Sequence, residues 1–278
     1  MSNQATLKER LIKNRRRQSA MAGLDTAIIL IAFVITASVL AYVAVNMGLF
    51  VTQKAKAVIN NGEAQASTAL EVGGSVLYST NYPLNTKSNW LYFPITPSAG
   101  ISSVQLAPAT TSIAFTASAE NVTLSNVYNY TLLTSTKGAH LFEQISGGEN
   151  YYFYQSPYAA LLDLNGTASS SVFQVHQTAG NCFAKANNFS FSYGGIQYTG
   201  CVGSDFAYTF PISGDPLVGS SIAPAGSVIG VMVLFGPDTG SKVFQYQSIQ
   251  VEITPNIGSS LAVTEYVYQP DGTVTTIG

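Results

Sequence analysis

Charge is what this 278-residue sequence has least of: 9% of its residues are charged, against about 25% in an average soluble domain. Hydrophobic residues still make up 46%, enough to build a core and to exclude general disorder. Arginine disappears after Arg17; from Met21 onward six lysines face thirteen acids, a net of −7. Nucleic-acid binding needs lysine and arginine gathered on one face, so an acidic body without arginine excludes it. The two histidines, His140 and His176, lie far apart with no acidic cluster nearby, which falls short of a metal site or a catalytic triad. No H-E-x-x-H, C-x-x-C, G-x-S-x-G, P-loop or G-x-G-x-x-G pattern occurs. Glu143, Glu149, Asp163, Asp205 and Asp215 are scattered, and no spacing marks two of them as an acid pair. The sequence implies neither an enzyme nor a bound cofactor.

What charge there is sits at one end. Residues 1–20 hold Lys8, Arg10, Lys13, Arg15, Arg16 and Arg17 against the single acid Glu9, and residues 26–53 carry no charge at all. That run exceeds the roughly 20 residues a helix needs to cross a bilayer core. Fourteen residues between Ala27 and Val51 are Leu, Ile, Val or Phe, worth on the order of −6 kcal/mol of insertion free energy, which offsets Thr36, Ser38 and Asn46. With six basic residues before the span and only Lys54 and Lys56 just after it, the N-terminus stays cytoplasmic and the rest is exported.

Three fates are open to such a segment. A secretory signal would be cut after the apolar run, near Val39-Leu40-Ala41, and discarded. A signal anchor would keep residues 1–53. A third fate is cleavage between Ala20 and Met21, which removes the basic leader and retains the helix.

The junction itself distinguishes them. Arg15-Arg16-Arg17-Gln18-Ser19-Ala20 runs into Met21-Ala22-Gly23-Leu24-Asp25 and then directly into the apolar segment. This resembles the class III signal of archaeal flagellins and pilins, and Ala22 to Phe33 together with Ala41 to Phe50 resembles the N-terminus of crenarchaeal archaellins. The likeness is close over about fifty residues and general beyond them. It implies removal of residues 1–20 by a prepilin-type leader peptidase, with Ala20 and Met21 at the cut. It implies a type IV pilin-like polymerisation helix over 21–72 that carries Gly23, Asp25, Ile28, Ile31, Phe33, Ile35, Leu40, Tyr42, Leu49 and Phe50. In bacterial pilins an acid at the fifth mature position meets a neighbouring subunit's amine, and Asp25 occupies that place; the alternative is a carboxylate favoured by the dipole at a helix N-terminus. An assembly ATPase, a membrane platform protein and an oligosaccharyltransferase are partners implied by the same resemblance.

A retained helix that is apolar all round is stable in lipid or in a bundle, not alone in water. Once the subunit leaves the membrane, identical helices must shield one another, and one heterologous contact repeated without closure gives a helical homopolymer. Small residues such as Ala22, Gly23, Ala27, Ala32, Ala41 and Gly48 permit close approach, though they are also common in membrane spans. After Lys54 the pattern turns amphipathic; the helix is expected to weaken near Asn60-Asn61-Gly62 and to end before Gly73-Gly74.

From residue 73 on, short β-type runs alternate with turn signals, among them Asn89–Phe93, Ser112–Thr116, Val122–Leu124, Tyr151–Tyr154, Val172–Val175, Phe189–Tyr193, Val228–Leu234, Phe244–Ile253 and Ala262–Tyr268. The expected fold class is α+β: a long hydrophobic N-terminal helix followed by an all-β, immunoglobulin-like sandwich over 73–278. About 200 residues exceed what seven strands need, so insertions or a second small sheet are expected. The aromatic run Tyr151–Tyr154 with Tyr158 reads either as core or as a sugar-binding or interface surface.

Cys182 and Cys201, the only cysteines, can pair once exported. They flank a run ending in Gly194-Gly195 that reads as a hairpin, so a bridge between its arms is plausible, with a free buried pair the alternative. Four N-x-[ST] triplets follow the span, at Asn121, Asn129, Asn165 and Asn188. Such triplets also arise by chance in a chain rich in Asn, Ser and Thr; the resemblance to archaellins implies glycosylation. The function expected is the structural subunit of a surface filament used for swimming. An adhesive pilus subunit built the same way and a membrane-anchored surface binding protein are the competing readings.

Overall fold

The computed structural model describes residues 2–66, 69–81, 87–133, 141–146, 149–177, 180–214, 220–268 and 272–278, with backbone alone at 2–22, 57, 60–66, 141–146 and 149–152. The chain forms two compact units, residues 1–62 and 63–278.

One helix, α1 (Ser2–Ala66), accounts for the first unit. It runs through Asn60-Asn61-Gly62 without a break, contrary to the expected weakening there. A single helical Gly costs only about 1 kcal/mol relative to Ala, too little to stop sixty-five residues.

The second unit is built from strands β1 (Leu70–Val72), β2 (Leu77–Thr80), β3 (Ser88–Pro97), β4 (Ser103–Gln105), β5 (Ser112–Ala117), β6 (Val122–Leu124), β7 (Tyr128–Thr131), β8 (Leu141–Ser146) and β9 (Glu149–Tyr154). Helix α2 (Pro157–Leu164) follows, then β10 (Phe173–Gln177), β11 (Asn187–Tyr193), β12 (Ile196–Val202), β13 (Phe206–Ser213), β14 (Ile222–Pro224) and β15 (Val228–Leu234). The short helix α3 (Pro237–Gly240), β16 (Gln247–Thr254), β17 (Leu261–Val267) and β18 (Val274–Thr276) complete it. Leu70–Val72, expected at the tail of the helix, is instead a strand that pairs antiparallel with Pro97–Ile95. Burial of Leu70 in the core together with ladder pairing outweighs the amphipathic pattern.

A seven-stranded sheet, β18-β2-β3-β15-β13-β7 with β1 also on β3, forms the middle of this unit. Its central strands are apolar almost without interruption because both faces are covered. Leu91, Phe93, Ile95, Ile229, Val231 and Val233 point to one face, where Ile113, Phe115, Ile249, Val251 and Ile253 of the four-stranded sheet β17-β16-β5-β6 meet them. These two sheets are the expected sandwich. The alternate residues Trp90, Tyr208, Phe210, Met232 and Leu234 point the other way into a second core. That core is closed by α2 and the three-stranded sheet β10-β12-β11, which contribute Leu161, Leu164, Phe173, Phe189, Phe191 and Tyr198. The extra length anticipated beyond seven strands is this third layer.

Asn187 pins the layer in place. Fully buried, its Nδ2 donates to the carbonyls of Ser88 (2.7 Å) and Phe235 (3.0 Å) at the ends of two central strands. On the opposite side of the sheet, Tyr128 Oη donates to the Leu106 carbonyl and lies 2.8 Å from Thr209 Oγ1. Burial pushes the Tyr92 and Tyr128 hydroxyls up to about 12, and those of Tyr78 and Tyr208 well above the usual tyrosine range.

Candidate functional site

Among the described residues no three His, Cys, Asp or Glu side chains gather as a metal site would require. A cavity of about 120 Å³ lies against Ala69, Ile101, Val104 and Ile222, and its lining includes no titratable side chain. Asp205 accepts hydrogen bonds from Gly236 N and Thr239 Oγ1, both at 2.7 Å, and so fixes the turn that α3 makes. His176 is half-buried in β10. His140 and Asp215, and the side chains of Glu143 and Glu149, lie outside the described residues. Tyr154 and Tyr158 belong to the second core: Tyr154 lies edge-on to Phe210 at 5.8 Å, and Tyr158 stacks on Phe191 at 5.1 Å.

The surface that demands a partner is on α1. From Gly23 to Lys56 the helix is long and apolar enough to cross a membrane, its most apolar 18-residue stretch has a mean hydropathy of 2.8, and none of it is buried. Its large apolar side chains between Leu24 and Val51 are 48–71% exposed, Ile28, Ile31, Phe33, Ile35, Leu40, Tyr42, Leu49 and Phe50 among them. They point in every direction around the axis, so no single face of another element within the chain could cover them all. Transferring fourteen such side chains out of water is worth on the order of 20–40 kcal/mol. The amount is several times the net stability of a typical domain.

Polar side chains in this stretch are mostly neutralised by the helix itself. Thr26 Oγ1 donates to Gly23 O (3.3 Å), Thr36 Oγ1 to Ala32 O and Phe33 O (both 3.0 Å), Ser38 Oγ to Val34 O (2.6 Å) and Thr52 Oγ1 to Gly48 O (2.7 Å). Lys54 Nζ, just past the uncharged run, sits 5.8 Å from the Phe50 ring centroid. Asp25 is exposed, and a Cβ at Gly23 or Gly48 would meet nothing within 4 Å. The helical backbone continues through Ala20 and Met21.

Cys182 and Cys201 form a disulfide with Cα atoms 5.6 Å apart. Cys201 is on β12, but Cys182 precedes β11 in the connection from β10, so the bridge ties that connection to the middle strand and does not join the two arms of the hairpin. The hairpin is as expected: Tyr193 pairs with Ile196 across Gly194 (φ +59°) and Gly195 (φ +79°), the primed turn that glycine allows. All four sequon asparagines are exposed. Asn121 is in the β5–β6 turn, Asn129 on the edge strand β7, Asn165 at the end of α2 and Asn188 on the edge strand β11.

Asn46, which the sequence marks only as an insertion cost, is the single amide inside the apolar run Ala27–Val51.

The archaeal-type flagellin family model matches residues 20–277. The chain is 52% identical to flagellin FlaB2 of Saccharolobus shibatae, covering 95% of this chain and 96% of that protein. It is 32% identical to a probable flagellin 2 of Archaeoglobus fulgidus over 59% of this chain and 81% of that one. Among solved structures, the crystal structure of archaeal flagellin FlaB1 from Methanocaldococcus jannaschii aligns with a TM-score of 0.43 at 11% identity, over 75% of this chain and 95% of that one. A family match over nearly the whole length, and a relative identical at about half of the aligned positions, place this chain in the archaeal-type flagellin family.

Proposed function

We propose that the protein is the structural subunit of a surface filament that drives swimming, and that it polymerises through residues 21–66. The observation that carries this reading is the helix Gly23–Lys56, apolar on every side and wholly unburied within its own chain. In lipid that surface is satisfied before assembly; outside lipid only other apolar surfaces satisfy it. Among the described residues of the head, most large apolar side chains are gathered into two cores, whereas those of the helix are exposed, which favours the helix as the element that recruits further copies.

Before assembly the precursor spans the membrane with its basic residues on the cytoplasmic side. A prepilin-type peptidase cuts between Ala20 and Met21, making Asp25 the fifth residue of the mature subunit. An assembly ATPase and a platform protein then extract the helix into the growing filament, and an oligosaccharyltransferase modifies the exposed sequons at Asn121, Asn129, Asn165 and Asn188. The open space around Gly23 and Gly48 supports close approach of a second helix at those positions.

The test is mass spectrometry of filaments sheared from cells, combined with swimming assays of a deletion strain. A subunit that begins at Met21, with swimming lost and surface attachment kept on deletion, is expected. A soluble monomer that begins near Tyr42, or one that retains its leader, would refute polymerisation through the helix; lost attachment with normal swimming would point to an adhesive pilus instead.

A further inference from the structure

The polar groups of the apolar helix fall into two classes. Thr26, Thr36, Ser38 and Thr52 return their hydroxyls to carbonyls of their own helix, which makes them acceptable to any apolar partner. Asn46 does not: among the described residues its amide has no hydrogen-bond partner, and its side chain is exposed. A carboxamide offers two donors and an acceptor, and no i−4 carbonyl satisfies all of them. If the helix is surrounded by apolar side chains, leaving that amide unpaired is a desolvation cost that every copy must offset with a partner.

Position along the axis decides where the cost falls. At about 1.5 Å per residue, Asn46 lies roughly 31 Å from Asp25, close to the ~30 Å thickness of a hydrocarbon core. With Asp25 at the cytoplasmic boundary, Asn46 sits at the outer boundary, where water satisfies it. The uncharged run 26–53 is about 42 Å long, so apolar residues on both sides of Asn46 extend beyond what the membrane requires. In the precursor the amide costs little; in a filament, where those flanking residues are covered by other helices, it must find a partner there.

The helix also places suitable partners on one stripe. At about 100° per residue, Ser38, Tyr42, Asn46 and Gln53 fall within an arc of roughly 80°. Tyr42 and Gln53 are exposed, and Tyr42 is one turn from Asn46. Resting on the filament reading above, we propose that Asn46 is a register-setting residue. Its amide hydrogen-bonds to the polar stripe of a second copy of this chain and so selects one axial offset between helices that purely apolar packing would leave free to slide. A single buried Asn fixes register in coiled coils by the same physics, at a cost in stability.

The experiment replaces Asn46 in the full-length chain, expressed in a strain lacking the wild-type copy, and examines sheared filaments by electron cryomicroscopy. Asn46→Leu is the informative change, because it improves both membrane insertion and apolar packing. The expected result is either a mixture of helical rises and twists where the wild type has one, or no filaments at all, with a single symmetry restored by Asn46→Gln. Asn46→Leu filaments with the wild-type rise and twist would overturn the proposal while leaving polymerisation through the helix intact. Failure of the wild-type chain itself to polymerise would sink the reading on which it rests.

A second measurement does not depend on Asn46→Leu assembling. Because both native cysteines are joined to each other, Asn46→Cys gives one free thiol, and carrying it on a small fraction of subunits among wild-type copies leaves the wild-type Asn46 residues to set the register. A membrane-impermeant maleimide applied from outside should label it in the precursor, and labelling should fall by roughly tenfold or more in the filament, as expected if water is excluded there at a cost of at least ~1.4 kcal/mol. A thiol labelled equally in both states, or in the filament alone, contradicts the proposal.

Discussion

The Phe210 ring lies over Gly230 on the neighbouring strand, in register with it, and occupies the space a Cβ at residue 230 would take. The ring is held from several sides, stacked on Tyr92 at 6.0 Å and near Tyr154 at 5.8 Å and Tyr208 at 5.7 Å. It has nowhere to move without disturbing the second core. Strand glycine ordinarily weakens a sheet; here an aromatic neighbour fills the gap it leaves.

Gly230→Ala therefore tests the packing of the head. Restricting the unfolded chain by replacing Gly with Ala gains about 0.4–1 kcal/mol, but forcing a methyl group against a fixed ring costs about 1–3 kcal/mol. The second effect wins. Thermal unfolding of the head, followed by near-ultraviolet circular dichroism, should shift down by several degrees, since about 1 kcal/mol moves the midpoint of a domain this size by roughly 2–4 °C. An unchanged or raised midpoint would show that the Phe210 cage yields.

Alkaline stability follows from the buried tyrosines. An exposed tyrosine ionises near pH 10, whereas burial holds Tyr128 and Tyr92 up at about 12 in the folded head. A folded pKa above the unfolded one means that the stabilisation is complete below pH ~10 and is lost as pH rises toward 12 and beyond. For Tyr128 alone the two-unit gap corresponds to about 3 kcal/mol. Tyrosinate absorbance should therefore rise in two steps, exposed residues first and the buried set together with unfolding. Tyr128→Phe should flatten the alkaline limb of the stability curve while costing about 1 kcal/mol at neutral pH through its lost hydroxyl bonds. A single smooth titration with no structural change would contradict this.

How much of this was legible in the sequence depends on where the determining contacts lie. The apolar helix was fully visible, because its partners are not in the chain and its composition alone states the demand. Val228–Leu234 and Asn89–Phe93 were visible as apolar runs long enough to be buried on both faces. Phe206–Ser213 was not, although it lies between β15 and β7; Pro211 reads against a central strand, and a strand buried on both sides shows no period of two. Helix α2 was missed despite a local signal: Ser156 Oγ accepts from Ala159 N at 3.3 Å and Pro157 opens the first turn, the expected cap and first position of a helix. The three-residue strands β1, β4, β14 and β18 exist only through pairing with distant segments and carry no local pattern to read.

Removing the disulfide should loosen the third layer first. Closing a loop of this length is worth about 3 kcal/mol in the chain-entropy model. Cys201 is buried beside the pairing of β12 with β10 and β11, while the sandwich core is formed by other strands. Replacing both cysteines with serine should lower the thermal midpoint of the head and speed amide exchange in residues 173–202 more than in β3 or β15. Equal acceleration in all three regions would place the bridge's effect on the whole head instead.

Glycosylation at Asn165 poses a question of its own, because its side chain already has structural work: Oδ1 accepts a 2.8 Å hydrogen bond from Val175 N and so ties the end of α2 to β10. A glycan attaches through Nδ2 and leaves Oδ1 free to accept, so modification and the tie are compatible. Substituting either residue of the triplet separates the two roles. Thr167→Ala abolishes the acceptor triplet while keeping the carboxamide, and should remove one glycan mass from the subunit without lowering head stability beyond about 0.5 kcal/mol. Asn165→Ala removes the same mass and also strands the Val175 N–H, at an added cost of about 1 kcal/mol. Intact-mass measurement and thermal unfolding of the two variants side by side decide the matter: equal stability would mean that the tie contributes nothing, and an unchanged mass in both would mean that Asn165 carries no glycan.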